Sequence, residues 1–105
     1  MAVTTKNLAR TAASLTTTTV LYTVPASTTT VVTNIAVTNT ASSAGTFTLA
    51  MGPSGSQVAL HTTTAIAANT TVYIDLKQVL SATNTITGGA SATTVNFHIS
   101  GVEIA

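Results

Sequence analysis

Threonine occupies 26 of the 105 positions of this chain, and this excess constrains the fold more than any motif does. Branching at Cβ restricts the rotamers of a side chain in a helix, whereas the same branch packs well on a pleated strand. Valine and isoleucine share this preference and supply most of the large apolar residues. The composition therefore predicts an all-β protein, and the length fits one domain.

The second constraint is charge, because only 5% of the residues are charged against about 25% in an ordinary domain. A free monomer with so little charge has weak colloidal repulsion and tends to self-associate. We therefore expect much of the surface to be buried against partners. The charged residues are Lys6, Arg10, Asp75, Lys77 and Glu103.

Several classes of partner do not fit this sequence. Three scattered basic residues cannot form the cluster that neutralises nucleic-acid phosphates. The apolar runs, such as residues 65–68, are too short to cross a membrane. The absence of cysteine excludes a disulfide framework and thiolate metal sites. The sequence thus predicts no nucleic-acid partner and no membrane partner.

Alternating apolar and polar residues, with turn residues at intervals of about ten, predict seven or eight short strands. Such a pattern indicates a single antiparallel β-sandwich, either jelly-roll or Ig-like. The expected strands cover residues 20–24, 31–39, 46–51, 70–76, 83–87 and 93–104, and residues 57–66 form either two short strands or one bent strand. The expected turns include Pro25, Gly52-Pro53-Ser54-Gly55 and Gly88-Gly89.

The strand over residues 31–39 is a long alternating run and should be central. Strict alternation would place Val31 and Ile35 on one face and Val32 on the other. One face then holds Val31, Thr33, Ile35, Val37 and Asn39, and the opposite face holds Val32, Asn34, Ala36 and Thr38.

Two local interruptions are also predicted. Residues 76–80 fit a single helical turn before the next strand. In the last strand, alternation from Phe97 and Ile99 would leave Val102 on the solvent side. A bulge near Ser100-Gly101 would return Val102 and Ile104 to the core, because one extra residue reverses the alternation and glycine tolerates the backbone.

Residues 1–19 stand apart from the rest, which divides the chain into 1–19 and a sandwich domain over 20–105. The first segment contains Lys6 and Arg10 and fits an N-terminal arm or an edge strand. Leu8, Ala12 and Leu15 would also fit one face of a short helix, so its conformation stays open at this stage.

No constellation of residues points to catalysis. His61 and His98 are the only histidines, and the only carboxylates that could assist them are Asp75 and Glu103. An ordinary surface or interface role for both histidines is the favoured interpretation. We therefore expect no enzyme activity, no catalytic or metal-binding residues and no cofactor.

Glycan binding is a more serious alternative, because β-sandwiches often carry it and a sugar ring stacks on an exposed aromatic side chain. Tyr73 alternates with Val72 and Ile74 and should point outward, so it is the one plausible platform. A packing role for Tyr73 at an interface is the more common interpretation.

Three segments together carry a family resemblance: Leu21-Tyr22-Thr23-Val24-Pro25, a Thr/Val strand ending in Asn39-Thr40, and the closing Ser100-Gly101-Val102-Glu103-Ile104. Over about Leu21 to Ile104 the chain resembles small all-β virion proteins of tailed bacteriophages, which decorate capsids or occur in tails and fibres. The resemblance implies a non-enzymatic homo-oligomer, often a trimer, that clamps neighbouring subunits. No family site residues transfer with it.

The resemblance and the low charge predict the same function. We expect a capsid decoration or cement protein on the virion surface, made in the host cytoplasm and bound to the major capsid protein. The alternatives are a tail or fibre component, or a host-glycan-binding module. Lys6 and Arg10 could dock on an acidic neighbouring subunit, and Tyr73 is a third candidate assembly contact.

Overall fold

The computed structural model describes residues 2–105, which form eight β-strands joined by short turns. This confirms the all-β prediction. In this part of the chain no helix could cross a membrane. The strands are β1 Val3–Ala12, β2 Val20–Thr23, β3 Thr29–Asn39, β4 Gly45–Gly52, β5 Val58–Ile66, β6 Thr70–Leu80, β7 Thr85–Ala90 and β8 Val95–Ile104.

The strands form two four-stranded antiparallel sheets, in the orders β1-β8-β3-β6 and β2-β7-β4-β5. First and last strands pair, then second and seventh, third and sixth, and fourth and fifth. The chain is therefore one long antiparallel hairpin rolled into two layers, which is the jelly-roll arrangement. An Ig-like sandwich would instead place β1 beside β2. The predicted β-sandwich is confirmed, and the sheet order selects the jelly roll.

Alternating side chains from both sheets fill the core between the layers. Phe97 of β8 meets Phe47 of β4 edge-on, with ring centroids 6.4 Å apart, a geometry that aromatic pairs favour. Phe47, Leu49 and Met51 are buried, as their alternation predicts. The core also contains Val24, Val32, Ile35, Val37, Ile66, Leu80, Ile86, Val95 and Ile99.

The predicted faces of β3 are wrong at its start. Val32 is fully buried while Val31 is only half-buried, so Val32 shares the core face with Ile35. The register with β8 shifts between Val32 and Asn34, which makes Thr33 an extra residue in β3. A bulge of this kind reverses the alternation, and no residue type at this point signals it.

The bulge predicted in β8 lies instead in its neighbours. β8 keeps its alternation, so Gly101 faces the interior and Val102 and Ile104 lie half-buried on the opposite face. Each strand that flanks Ser100 and Gly101 has one extra residue there. It is Leu8 in β1 and Thr33 in β3. The glycine therefore marks a close approach of neighbouring chain rather than an irregular backbone of its own.

Two further expectations are wrong. Residues 76–80 continue β6 as a strand instead of forming a helical turn. Gly88-Gly89 lies inside the buried strand β7 rather than in a turn. A Cβ on Gly88 would lie 2.7 Å from the Thr48 carbonyl oxygen, and one on Gly89 would collide with the Thr16 carbonyl. These glycines allow other segments of backbone to approach closely.

The structure also decides the alternatives left open for two segments. Val3–Ala12 is β1, an edge strand of the first sheet rather than a free arm or a helix face. Val58–Ile66 is one irregular strand, in which Thr63 has a φ of 46°. The turn at Gly52-Pro53-Ser54-Gly55 is present, closed by the Ser56 amide donating to the Pro53 carbonyl. The division of the chain into residues 1–19 and a sandwich domain over 20–105 stays a prediction.

Candidate assembly surface

The first sheet presents one face to the core and the other to solvent, and we call the second the outer face. Register and alternation place its side chains in rows that cross all four strands. No residue of the outer face is buried. It comprises Val3, Thr5, Asn7, Arg10 and Ala12 of β1, Asn96, His98, Ser100, Val102 and Ile104 of β8, Thr29, Val31, Thr33, Asn34, Ala36 and Thr38 of β3, and Thr71, Tyr73, Asp75, Lys77 and Val79 of β6.

The second sheet differs, because parts of the protein itself cover its outward side. Thr85 and Thr87 point outward from β7 and are nevertheless buried. The Gln57 side-chain amide donates to the Thr85 hydroxyl at 2.7 Å, and the backbone of Ser14 and Thr16 lies against Gly89. The outer face of the first sheet is therefore the more open of the two broad surfaces.

One row of the outer face joins two of the residues predicted as assembly contacts. Arg10 pairs with His98, His98 with Ala36, and Ala36 with Tyr73. Three strand spacings of about 4.8 Å separate the two ends of this row, or about 14 Å. Arg10 and Tyr73 thus lie on the same surface at opposite edges of the sheet.

Around Arg10 the surface forms a shallow depression of about 310 Å³. His98 and Asn96 supply polar groups beside the guanidinium, and Thr11 and Ala12 complete the lining. A cation next to hydrogen-bonding side chains suits a carboxylate from another molecule. The depression is open to solvent, so a projecting side chain of another molecule can enter it.

Tyr73 points outward, as its alternation predicts, and its residue surface is 73% exposed. Asp75 follows it on the same face, one row further along β6. An exposed aromatic ring offers a large apolar area together with a polar hydroxyl, which is a property of residues at interfaces. The carboxylate of Asp75 gives the β6 edge a negative charge, whereas the β1 edge carries the positive charge of Arg10.

An apolar band crosses the other end of the outer face. Val102, Val31 and Val79 lie in one row with Thr5. Val79 is 66% exposed and Val3, at the next row, is 64% exposed. Exposed apolar side chains that lie together on an open sheet face make this band a candidate contact surface.

Lys6, the third predicted contact, lies outside this surface. Its partner in the register is Gly101, on the core side of β8. The Lys6 ammonium forms a salt bridge of 3.2 Å with Glu103, and the Glu103 side chain is 14% exposed. Lys6 therefore ties β1 to β8 within the chain, and its assignment as an assembly contact stays a prediction.

Glu103 also accepts a hydrogen bond of 2.5 Å from the Tyr22 hydroxyl. Since that proton points at Glu103, the buried Thr30 hydroxyl, 2.9 Å away, donates to the Tyr22 oxygen. Burial, followed by the hydrogen bond to Glu103, raises the pKa of Tyr22 to about 12. The same hydrogen bond, assisted by Lys6, lowers the pKa of Glu103. This network links both sheets at one end of the sandwich.

The two histidines do not lie together. His98 belongs to the outer face, whereas His61 sits on the edge strand β5, with its ring 5.3 Å from that of Phe47. The His61 Nδ1 atom lies 3.2 Å from the Thr64 hydroxyl. Among residues 2–105, no group of three His, Asp or Glu side chains is placed to hold a metal ion.

Asn39 has a structural role that the sequence did not reveal. It is buried at the end of β3 and its amide nitrogen donates to the Ser43 carbonyl at 2.9 Å. Its amide oxygen accepts from the Ala41 backbone at 3.1 Å and from the Thr94 hydroxyl. An asparagine on an otherwise apolar core face was the available signal, because a buried amide needs such partners.

Comparison with known proteins identifies a similar fold but no family. No protein-family model matches the chain, and no curated protein matches it in sequence. It is similar to a chain in the structure of infectious bursal disease virus, Gx strain, with a TM-score of 0.51 and 15% sequence identity. The match covers 97% of this chain and 32% of the other, so this chain spans about a third of that chain's length. At this identity the likeness concerns the fold.

Proposed function

We propose that this protein is a non-enzymatic structural component of a tailed-bacteriophage virion, and specifically a decoration or cement protein on the capsid. In this role a homo-oligomer binds the major capsid protein and stabilises the assembled shell. The observation that carries the proposal is the open, nearly neutral outer face of the first sheet.

Physical reasons support a contact role for this face. A neutral hydroxyl costs less to remove from water than an ion does, and it can pair with groups across a contact. The outer face holds only Arg10, Asp75 and Lys77 as charged residues. Likeness to a chain of a virus structure supports the same role through the fold, since jelly rolls occur in viral capsids.

The experiment is a copy-number measurement in purified particles, by calibrated mass spectrometry against the major capsid protein. A ratio near one, or near one to three, is expected for a decoration protein. A few copies to a few dozen per particle would place it in the tail or fibre. Absence from the particle would overturn the virion role.

Glycan binding is the second candidate, and the exposure of Tyr73 is the observation that favours it. Replacing Tyr73 with alanine should then abolish binding to a glycan array while particle binding persists. If the protein is a decoration protein alone, the wild-type chain should bind no glycan on the array. Phe97 gives no alternative platform, because it is fully buried.

A further inference from the structure

We propose that the outer face is a self-complementary interface that binds a second copy of this chain, with a twofold axis parallel to the strands between β8 and β3. This inference goes beyond the virion role, and it concerns the isolated protein. Its basis is the arrangement of charge, aromatic and apolar groups on the outer face.

The charge arrangement selects the axis. A rotation of 180° about an axis parallel to the strands exchanges the β1 edge of one copy with the β6 edge of the other. Arg10 of each copy then lies over Tyr73 of its partner, with Asp75 one row away. A guanidinium can stack on the tyrosine ring and reach the carboxylate. The symmetry makes both contacts twice.

Axes that cross the strands are disfavoured by the same residues. A twofold axis in the plane of the sheet and perpendicular to the strands places each edge strand over the same strand of the other copy. Arg10 would then face the β1 edge, which supplies no carboxylate on this face, and Asp75 would face β6. Only the strand-parallel axis places opposite charges together at both edges.

This rotation also brings the apolar bands of the two copies into contact. Val102 of one copy meets Val31 of the other, and Val79 meets Thr5. Lys77 lies beyond Asp75 and faces the uncharged Asn7 and Thr5, so no like charges oppose each other. The band thereby becomes buried on both sides, which accounts for its exposure in a single chain.

The size of the surface is adequate for such a contact. Four strands at about 4.8 Å and ten residues at about 3.3 Å span roughly 600 Å² when drawn flat. Projecting side chains raise the accessible area above the flat value, toward the roughly 800 Å² per partner of a specific interface.

The test uses sedimentation analysis of the full chain and of two charge-reversed variants, Arg10→Glu and Asp75→Lys. The wild-type chain should sediment at twice its 10.5 kDa mass in the micromolar range. Each variant alone should associate at least about tenfold more weakly, because repulsion replaces attraction at two symmetric contacts. Mixing the two variants should restore the dimer, since the two reversed positions then face each other with opposite charges and the other contact is native.

Lys77→Glu is the matched control, because it makes the same change in charge on the same face without an opposing charge. It should remain dimeric, and urea unfolding at concentrations low enough for every chain to be monomeric should show all three variants to be as stable as the wild type. A wild-type chain that stays monomeric overturns the proposal. So does a dimer that survives either reversal, or a mixture that fails to associate. None of these outcomes bears on the copy number in the particle.

Discussion

The Leu8 side chain occupies the space that Gly101 leaves empty in the neighbouring strand. Its Cδ1 atom lies 3.0 Å from the position of a Cβ on Gly101, and Leu8 is the extra residue of the β1 bulge. The bulge turns Leu8 inward, where it is buried. Strand β1 is thus held to the sandwich by one apolar anchor as well as by its backbone pairing.

Gly101→Ala should destabilise the protein by about 2–3 kcal/mol, since an added methyl group overpacks a filled site. The new Cβ would collide with the carbonyl oxygen of Val31 as well as with Leu8. That oxygen belongs to backbone fixed in β3, so shortening Leu8 cannot relieve the strain. Urea unfolding measures the change.

Ser100→Ala is the control for this substitution, because Ser100 is adjacent and exposed on the outer face. Its effect should stay within about 0.5 kcal/mol. An equally small effect of Gly101→Ala would contradict the close packing of Leu8 and Val31 around this glycine.

Asn39→Ala should cost about 2–4 kcal/mol. The substitution removes the buried Asn39 amide and its hydrogen bonds to the Ser43 carbonyl, the Ala41 amide and the Thr94 hydroxyl, each of which contributes about 0.5–1.5 kcal/mol. Thermal unfolding would measure the loss. Asn34→Ala, on the outer face of the same strand, should change the stability little, and equal effects at both positions would contradict the role of Asn39.

The composition and the alternation of the sequence were enough to predict the layers of the fold. Phe47, Leu49 and Phe97 lie in the core, as expected from the two-residue period of a strand with one buried face. Tyr73 lies outside for the same reason. These features depend only on the local pattern.

Features that depend on other strands could not be predicted. The glycines at 88 and 89 fit a turn locally, and only the approach of Thr48 and Thr16 makes them strand residues. The inward turn of Leu8 likewise depends on the missing side chain of Gly101 in another strand. The outer face could be identified only from the register of all four strands. The sequence therefore predicted Arg10 and Tyr73 as separate candidates and not as parts of one row.

Thr63→Asn should stabilise the protein by about 0.5–1 kcal/mol. Thr63 has a φ of 46°, a conformation that a β-branched residue adopts at a cost and asparagine tolerates. The Thr63 residue is exposed, so the exchange leaves the core unchanged. Thr62→Asn, at the adjacent position where φ is not positive, should be neutral or destabilising, and chemical denaturation of both variants would reveal whether their effects have opposite signs.

The Tyr22–Glu103 pair should make stability fall at both ends of the pH range. The pKa of Tyr22 is raised from 10.0 to about 12, so its contribution is complete below pH 10 and disappears as the pH rises through about 12. The pKa of Glu103 is lowered from 4.5, so its contribution is complete above that value and is lost as the pH falls below it. Urea midpoints measured across the pH range would show both losses.

Tyr22→Phe removes the hydroxyl and separates these effects from those of other groups. At neutral pH it should cost about 1.5–3 kcal/mol, because a partly buried carboxylate loses a hydrogen bond. The fall in stability between pH 10 and 12 should then become shallower, since phenylalanine has no proton to lose. Tyr73→Phe, at an exposed site, should keep the full alkaline fall. If Tyr22→Phe and the wild type lose stability equally between pH 10 and 12, the hydrogen-bonded network around Glu103 does not control the alkaline transition.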